Sequence, residues 1–133
     1  MIYAMFGMAA LTFAVGGIAV ATRIKSIRDG SVEIKYFRVM EGQDVPEFLT
    51  RSTRSVNNMF EVPTLFYVVS ILFVVQNIES NAALVLAWLF VISRYIHAGI
   101  HLTYNDVMHR VLVFWVGIMI VFSMWMLLLF SLA

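Results

Sequence analysis

Residues 54–75 read RSVNNMFEVPTLFYVVSILFVV, and two incompatible kinds of sequence meet inside them. From Val62 to Ile78 no side chain is charged. With its polar flank this run is as long as a membrane-crossing helix, which needs about 20 residues. Ahead of it Arg54, Asn57, Asn58 and Glu61 fall at i, i+3, i+4 and i+7, so an unbroken helix puts all four on one face. A crossing helix that carries an arginine and a glutamate at its margin predicts both the solvent of the fold and the place of a site.

Three more nearly uncharged stretches accompany it: Ile2 to Thr22, Ala82 to Ser93 with its continuation toward Leu102, and Val111 to Ala133. The chain is 62% hydrophobic and 13% charged with a mean hydropathy of +0.89, too little polar surface to cover a soluble core. The prediction is an all-α integral membrane four-helix bundle, a single domain over 1–133 with spans at about 2–22, 57–77, 82–102 and 107–131. Nine basic and eight acidic side chains remain, and all but Glu79, Arg94, Asp106 and Arg110 lie between Arg23 and Glu61. Basic residues in short loops stay cytoplasmic. The loop at about 23–50 and the Thr103–Asp106 turn are therefore expected inside, and both termini outside. Ala19-Val20-Ala21 has the look of a signal-cleavage site, but no basic residue precedes the apolar run and the positive charges follow it, as in an uncleaved first span.

The absence of cysteine removes disulfides and any cysteine nucleophile, and a net charge of +1 offers no field to draw nucleic acid. In the first loop Gly30 and Gly42 should break the chain, and Asp44 should cap a helix starting near Pro46 and Glu47. That helix would run to about Asn77, roughly 50 Å, with Pro63 kinking it. The short Thr103–Asp106 turn implies an antiparallel hairpin, and Gly16-Gly17 a close helix contact.

Ionisable residues within spans are costly and need a reason. Arg94, His97 and His101 share one face, and Arg94 lies about 12 Å from the end of its span by helix rise. Arg23 closes the first span and Arg110 opens the fourth. All four spans thus bring an arginine to a similar depth, a polar pocket with Glu61, Asn57, Asn58, both histidines and Tyr104. It suits a ligand with several carboxylates and an ammonium, because arginine grips carboxylates with a two-pronged fork. Other readings stand beside this one. Glu61 and Arg94 could be a structural ion pair, Arg23 and Arg54 ordinary positive-inside flanks, and His97 and His101 satisfied buried histidines. A metal site built on that histidine pair with Glu61 or His109 is disfavoured by the crowding arginines, so no metal is expected.

These residues resemble the MAPEG family, the membrane-associated proteins in eicosanoid and glutathione metabolism. The likeness covers nearly the whole chain. It rests on the Arg-x-x-x-Asn-x-x-Glu signature met by Arg54, Asn58 and Glu61, on Arg94-x-x-His97, on Arg110, and on the basic Arg23-Ile24-Lys25. The Glu61-Val-Pro and His101-Leu-Thr-Tyr-Asn patterns look most like short bacterial members, which implies a bacterial inner membrane. The resemblance implies a homotrimer that binds glutathione as thiol co-substrate between subunits, with membrane lipid and a lipophilic small molecule as further partners. Arg54 and Arg23 would hold carboxylates, Asn58 peptide groups and Glu61 the amino group. Arg94, His97 and His101 would complete the cage, and Arg110 would act catalytically on the sulfur. The implied activity is a glutathione-dependent transferase or peroxidase acting on lipophilic electrophiles or lipid hydroperoxides. The alternative is a non-catalytic trimer whose pocket binds an anionic lipid or metabolite or is purely structural. The chain departs from the family at His101, where a tyrosine is frequent, and at Val111, where the prostaglandin synthase has serine. It departs also at Asn57, which replaces a basic residue, and at Pro63, two residues early.

Overall fold

The computed structural model describes residues 1–133 and contains helices only. In chain order these are α1 (Ile2–Arg28), a short 3-10 turn (Ile34–Arg38), α2 (Glu47–Asn58), α3 (Val62–Val75), α4 (Asn81–Leu102) and α5 (Val107–Leu132). With α2 and α3 counted as one crossing, the four long stretches have 27, 29, 22 and 26 residues, each long and apolar enough to span a membrane. Met1 lies beside the turn between α3 and α4, so both belong to one end of the bundle. The loop after α1 and the α4–α5 turn lie at the other, called here the loop face.

The bundle closes on a narrow apolar seam, because in lipid the outer surfaces of the helices need not be polar. Ala4, Met8, Leu11, Val15 and Ala19 form the buried stripe of α1, while Tyr3, Phe6 and Phe13 point outward. Phe66 of α3 stacks on Phe90 of α4 with ring centroids 4.6 Å apart. Close helix approach occurs at Gly117, where a Cβ would sit 3.4 Å from Ser93 Oγ and 3.9 Å from Arg94 Cδ. No helix of the same chain packs at Gly16-Gly17, since a Cβ at either would meet nothing of the chain within 4 Å.

Two expectations about the second crossing are corrected. The helix is broken, not merely kinked, and α2 ends at Asn58 before α3 restarts at Val62. Pro63 has no N–H to give the Met59 carbonyl and its ring collides with that carbonyl. The chain instead closes tight turns from Met59 N to Val56 O (2.9 Å) and Phe60 N to Asn57 O (3.0 Å). Glu61 therefore does not continue the face of Arg54 and Asn58. Asp44 does not cap α2 either. Pro46 occupies that position without a side-chain bond, and Glu47 accepts from Arg51 Nε at 3.0 Å instead of closing a capping box.

The chain breaks at Gly30 and Gly42 do form, at φ +68° and +88°. Between them the loop folds over a small core of Val32, Tyr36 and Leu49. Gln43 holds it, accepting from Glu33 N (3.2 Å) and donating to Ser31 O (3.1 Å). The hairpin of α4 and α5 is capped at both starts, Ser80 Oγ accepting from Ala83 N (3.2 Å) and Asp106 Oδ1 from His109 N (2.8 Å). Losing such a cap costs about 1 kcal/mol. Asp106→Ala should lose about that much in equilibrium unfolding from detergent micelles, and Asp44→Ala should stay within about 0.5 kcal/mol of the parent. Equal losses would contradict this assignment of caps.

Candidate functional site

α2 and α4 run antiparallel, and two arginines set their register. Arg51 Nη1 of α2 donates to Thr103 O at the end of α4 (2.8 Å), and Arg94 Nη2 of α4 donates to Asn58 O at the end of α2 (3.3 Å). Both acceptors are carbonyls that a helix end leaves without an intrahelical partner. Asn58 O would have accepted from Val62 N in an unbroken helix, so the break before Pro63 supplies the acceptor for a buried arginine. Arg54 lies one turn beyond Arg51, level with the stretch of α4 that carries His97 and His101.

Arg94 is wholly buried, with 0% of its surface exposed, and His97 and His101 retain only 3% and 1%. The Arg94 guanidinium carbon lies 5.9 Å from the Phe114 ring centre, and the His97 ring is 6.1 Å from the same phenyl and 5.9 Å from His101. Arg94 Nε and Nη1, His97 Nδ1 and both His101 nitrogens are buried with no hydrogen-bond partner in the protein. Each such group costs about 1–3 kcal/mol unless something satisfies it. Arg110 donates through Nη1 to Asn105 Oδ1 (2.9 Å), while its buried Nε has no protein partner. Arg23 Nε is in the same position, with its guanidinium 5.9 Å from Phe37.

The remaining residues are placed differently. Arg54 and Glu61 are exposed on the protomer, and Asn58 is half-buried with Nδ2 bonded to Arg54 O at 2.9 Å. No ion pair joins Glu61 to Arg94, since the pairs formed are Lys35–Glu33, Arg51–Glu47 and His109–Asp106. The two side chains therefore make no direct contact pair, although the Glu61 carboxylate remains near enough to act on the Arg94 charge. Tyr104 leaves the pocket as well, being exposed and bonded to His109 Nδ1 at 3.2 Å. No three of the His, Asp and Glu side chains converge as a metal site would require.

A model of the MAPEG family matches residues 1–130. The chain belongs to the MAPEG family. No curated protein and no solved structure matches it. As a MAPEG protein with four crossing stretches it is an integral, multi-pass membrane protein. Membership supports glutathione-linked transferase or peroxidase chemistry at the level of the family.

Four residues packed on this cluster escaped the reading of the sequence: Arg51, Asn105, Phe114 and Phe37. Phe114 had a signal, since it lies at i+4 from Arg110 and shares its face of α5. Asn105 had none, because its role depends on a left-handed backbone, φ +54°. Asn105→Gly and Asn105→Ala both remove the bond to Arg110, but only alanine bears the left-handed cost of about 1–2 kcal/mol. In thermal unfolding Asn105→Gly should be the more stable of the two by about 1 kcal/mol. The reverse order would rule out a strained turn holding Arg110.

Proposed function

We propose that this protein binds glutathione as thiol co-substrate and transfers it to a lipophilic electrophile, or uses it to reduce a lipid hydroperoxide. The observation that carries the reading is the set of partnerless buried nitrogens on Arg23, Arg94, His97, His101 and Arg110. The three guanidiniums of this set can only donate and each neutral imidazole has one donor and one acceptor nitrogen, so the ligand that fits is rich in acceptors. A tripeptide with two carboxylates and two peptide carbonyls is such a ligand, and its ammonium suits Glu61.

Glutathione supplies a thiol nucleophile, the group this cysteine-free chain lacks. Arg54 and Arg23 grip the carboxylates, Asn58 binds peptide groups, and Arg94 with His97 and His101 closes the cage behind them. Arg54 and Glu61 are exposed on one protomer and fit a site completed by a neighbouring copy in a homotrimer. The loop face is cytoplasmic, by the placement of the basic residues, and both termini lie outside. Arg110, aimed by Asn105, stands at the sulfur. A thiol of pKa about 8.5 is mostly protonated at neutral pH, and a guanidinium beside it favours the thiolate. Val111 offers no hydroxyl beside Arg110, which directs the chemistry away from prostaglandin isomerisation.

Glutathione added to detergent-purified protein should give a thiolate absorbance at neutral pH, and Arg110→Ala should lower it about tenfold, the effect of removing one charge-assisted hydrogen bond. Glu61→Ala should weaken glutathione binding while melting within about 0.5 kcal/mol of the parent, since Glu61 has no partner in the protomer. No thiolate signal, or one indifferent to Arg110, defeats the proposal. Unfolding of Glu61→Ala would point instead to a structural pocket.

A further inference from the structure

α1 carries a second stripe that the site above does not use. Ile18, Ala21, Lys25, Ser26 and Asp29 fall at i, i+3, i+7, i+8 and i+11 and, with Phe48 from α2 opposite, line a cavity of about 390 Å³. That volume is in the range of small-molecule sites. Lys25 and Arg23 stand roughly 160° apart around the helix, so the cavity is on the other flank of α1 from the Arg23 guanidinium.

Polarity changes along this stripe in one direction. Ile18 and Ala21 belong to the uncharged part of α1, while Lys25 and Asp29, about 10 and 16 Å further along by helix rise, carry a cation and an anion at the loop face. A lysine and an aspartate one turn apart on one face are placed to pair. These two form no ion pair, and both face the cavity. Phe48, opposite them, is 47% exposed although apolar. The result is a slot with a greasy lower half and two separate, opposite charges at its mouth, at the boundary where a bilayer changes from hydrocarbon to headgroup.

We propose that this slot binds a phospholipid whose headgroup carries both a phosphate and a primary ammonium. The phosphate meets Lys25, the ammonium donates to the Asp29 carboxylate, and one acyl chain leaves along Ile18, Ala21 and Phe48. An anionic headgroup without an amine sets a negative charge against Asp29 with nothing to offset it. A quaternary ammonium has the charge but no N–H for the carboxylate.

The test is competitive retention. Protein purified in detergent is exchanged against an equimolar mixture of phosphatidylethanolamine, phosphatidylcholine and phosphatidylglycerol, and the lipid that stays bound is measured by native mass spectrometry. Phosphatidylethanolamine should be enriched about fivefold over either competitor, the effect of one favourable charged contact. Asp29→Asn should bring it down to the level of phosphatidylcholine, and Lys25→Ala should lower retention of all three lipids. Ile18→Trp, which fills the apolar half without touching a charge, should do the same. Preference for phosphatidylglycerol, or a preference untouched by Asp29→Asn and Ile18→Trp, overturns the proposal. So does retention of no lipid with Lys25 shielded from an amine-reactive label only in the oligomer, which assigns the slot to a second copy of the chain.

Discussion

A guanidinium inside a membrane protein must be given polar partners or it will not stay there, and Arg94 states that constraint in its severest form. Its side chain is fully enclosed, yet its one hydrogen bond within the protein goes to a single carbonyl, Asn58 O, at 3.3 Å. That carbonyl is free only because α2 stops there, and α2 stops because Pro63 cannot continue the ladder. The break, the buried charge and the packing of α2 on α4 are thus one arrangement. Moving the proline would return Asn58 O to an ordinary helix and take from Arg94 its one hydrogen bond within the chain.

The same logic orders the loop face. Arg51 takes the carbonyl of Thr103 at the end of α4, and Asn105 takes Arg110 at the start of α5. Each bond joins a helix terminus to a guanidinium. α2 is thereby tied to α4, and the α4–α5 turn to the start of α5, at the level where the cationic side chains gather; deeper in the bundle Tyr95 Oη donates to Gly7 O (3.1 Å) and ties α4 to α1. Gly117 lets α5 approach Ser93 and the Arg94 stem, which puts Phe114 over the guanidinium.

The four long apolar helical stretches were legible in the sequence because charge is so scarce that its gaps outline them. The depth of Arg94, His97 and His101 followed from helical spacing alone, and all three proved buried. What could not be read depends on backbone events that composition does not encode. An unbroken helix predicted one face for Arg54, Asn58 and Glu61, but two short turns before Pro63 remove Glu61 from it. Asp44 had the right residue type for a cap and the wrong neighbour, since Pro46 begins the helix and Glu47 turns to Arg51. Gly16 and Gly17 looked like a contact because small residues permit one, yet permission is not packing, and within the chain the close approaches are at Gly7 and Gly117.

The balance of donors and acceptors carries the functional reading further than the motif does. A pocket kept for stability alone would pair its charges, because a buried cation without an anion is the costlier state. Here three of the charged side chains, Arg23, Arg94 and Arg110, and two neighbouring histidines turn nitrogens inward that the protein itself does not satisfy, while Glu61 stands exposed and joined to none of them. Guanidinium nitrogens of that kind can only donate, so whatever satisfies them supplies acceptors. The family is associated with glutathione, and guanidiniums that can only donate are what a ligand with several carboxylates requires.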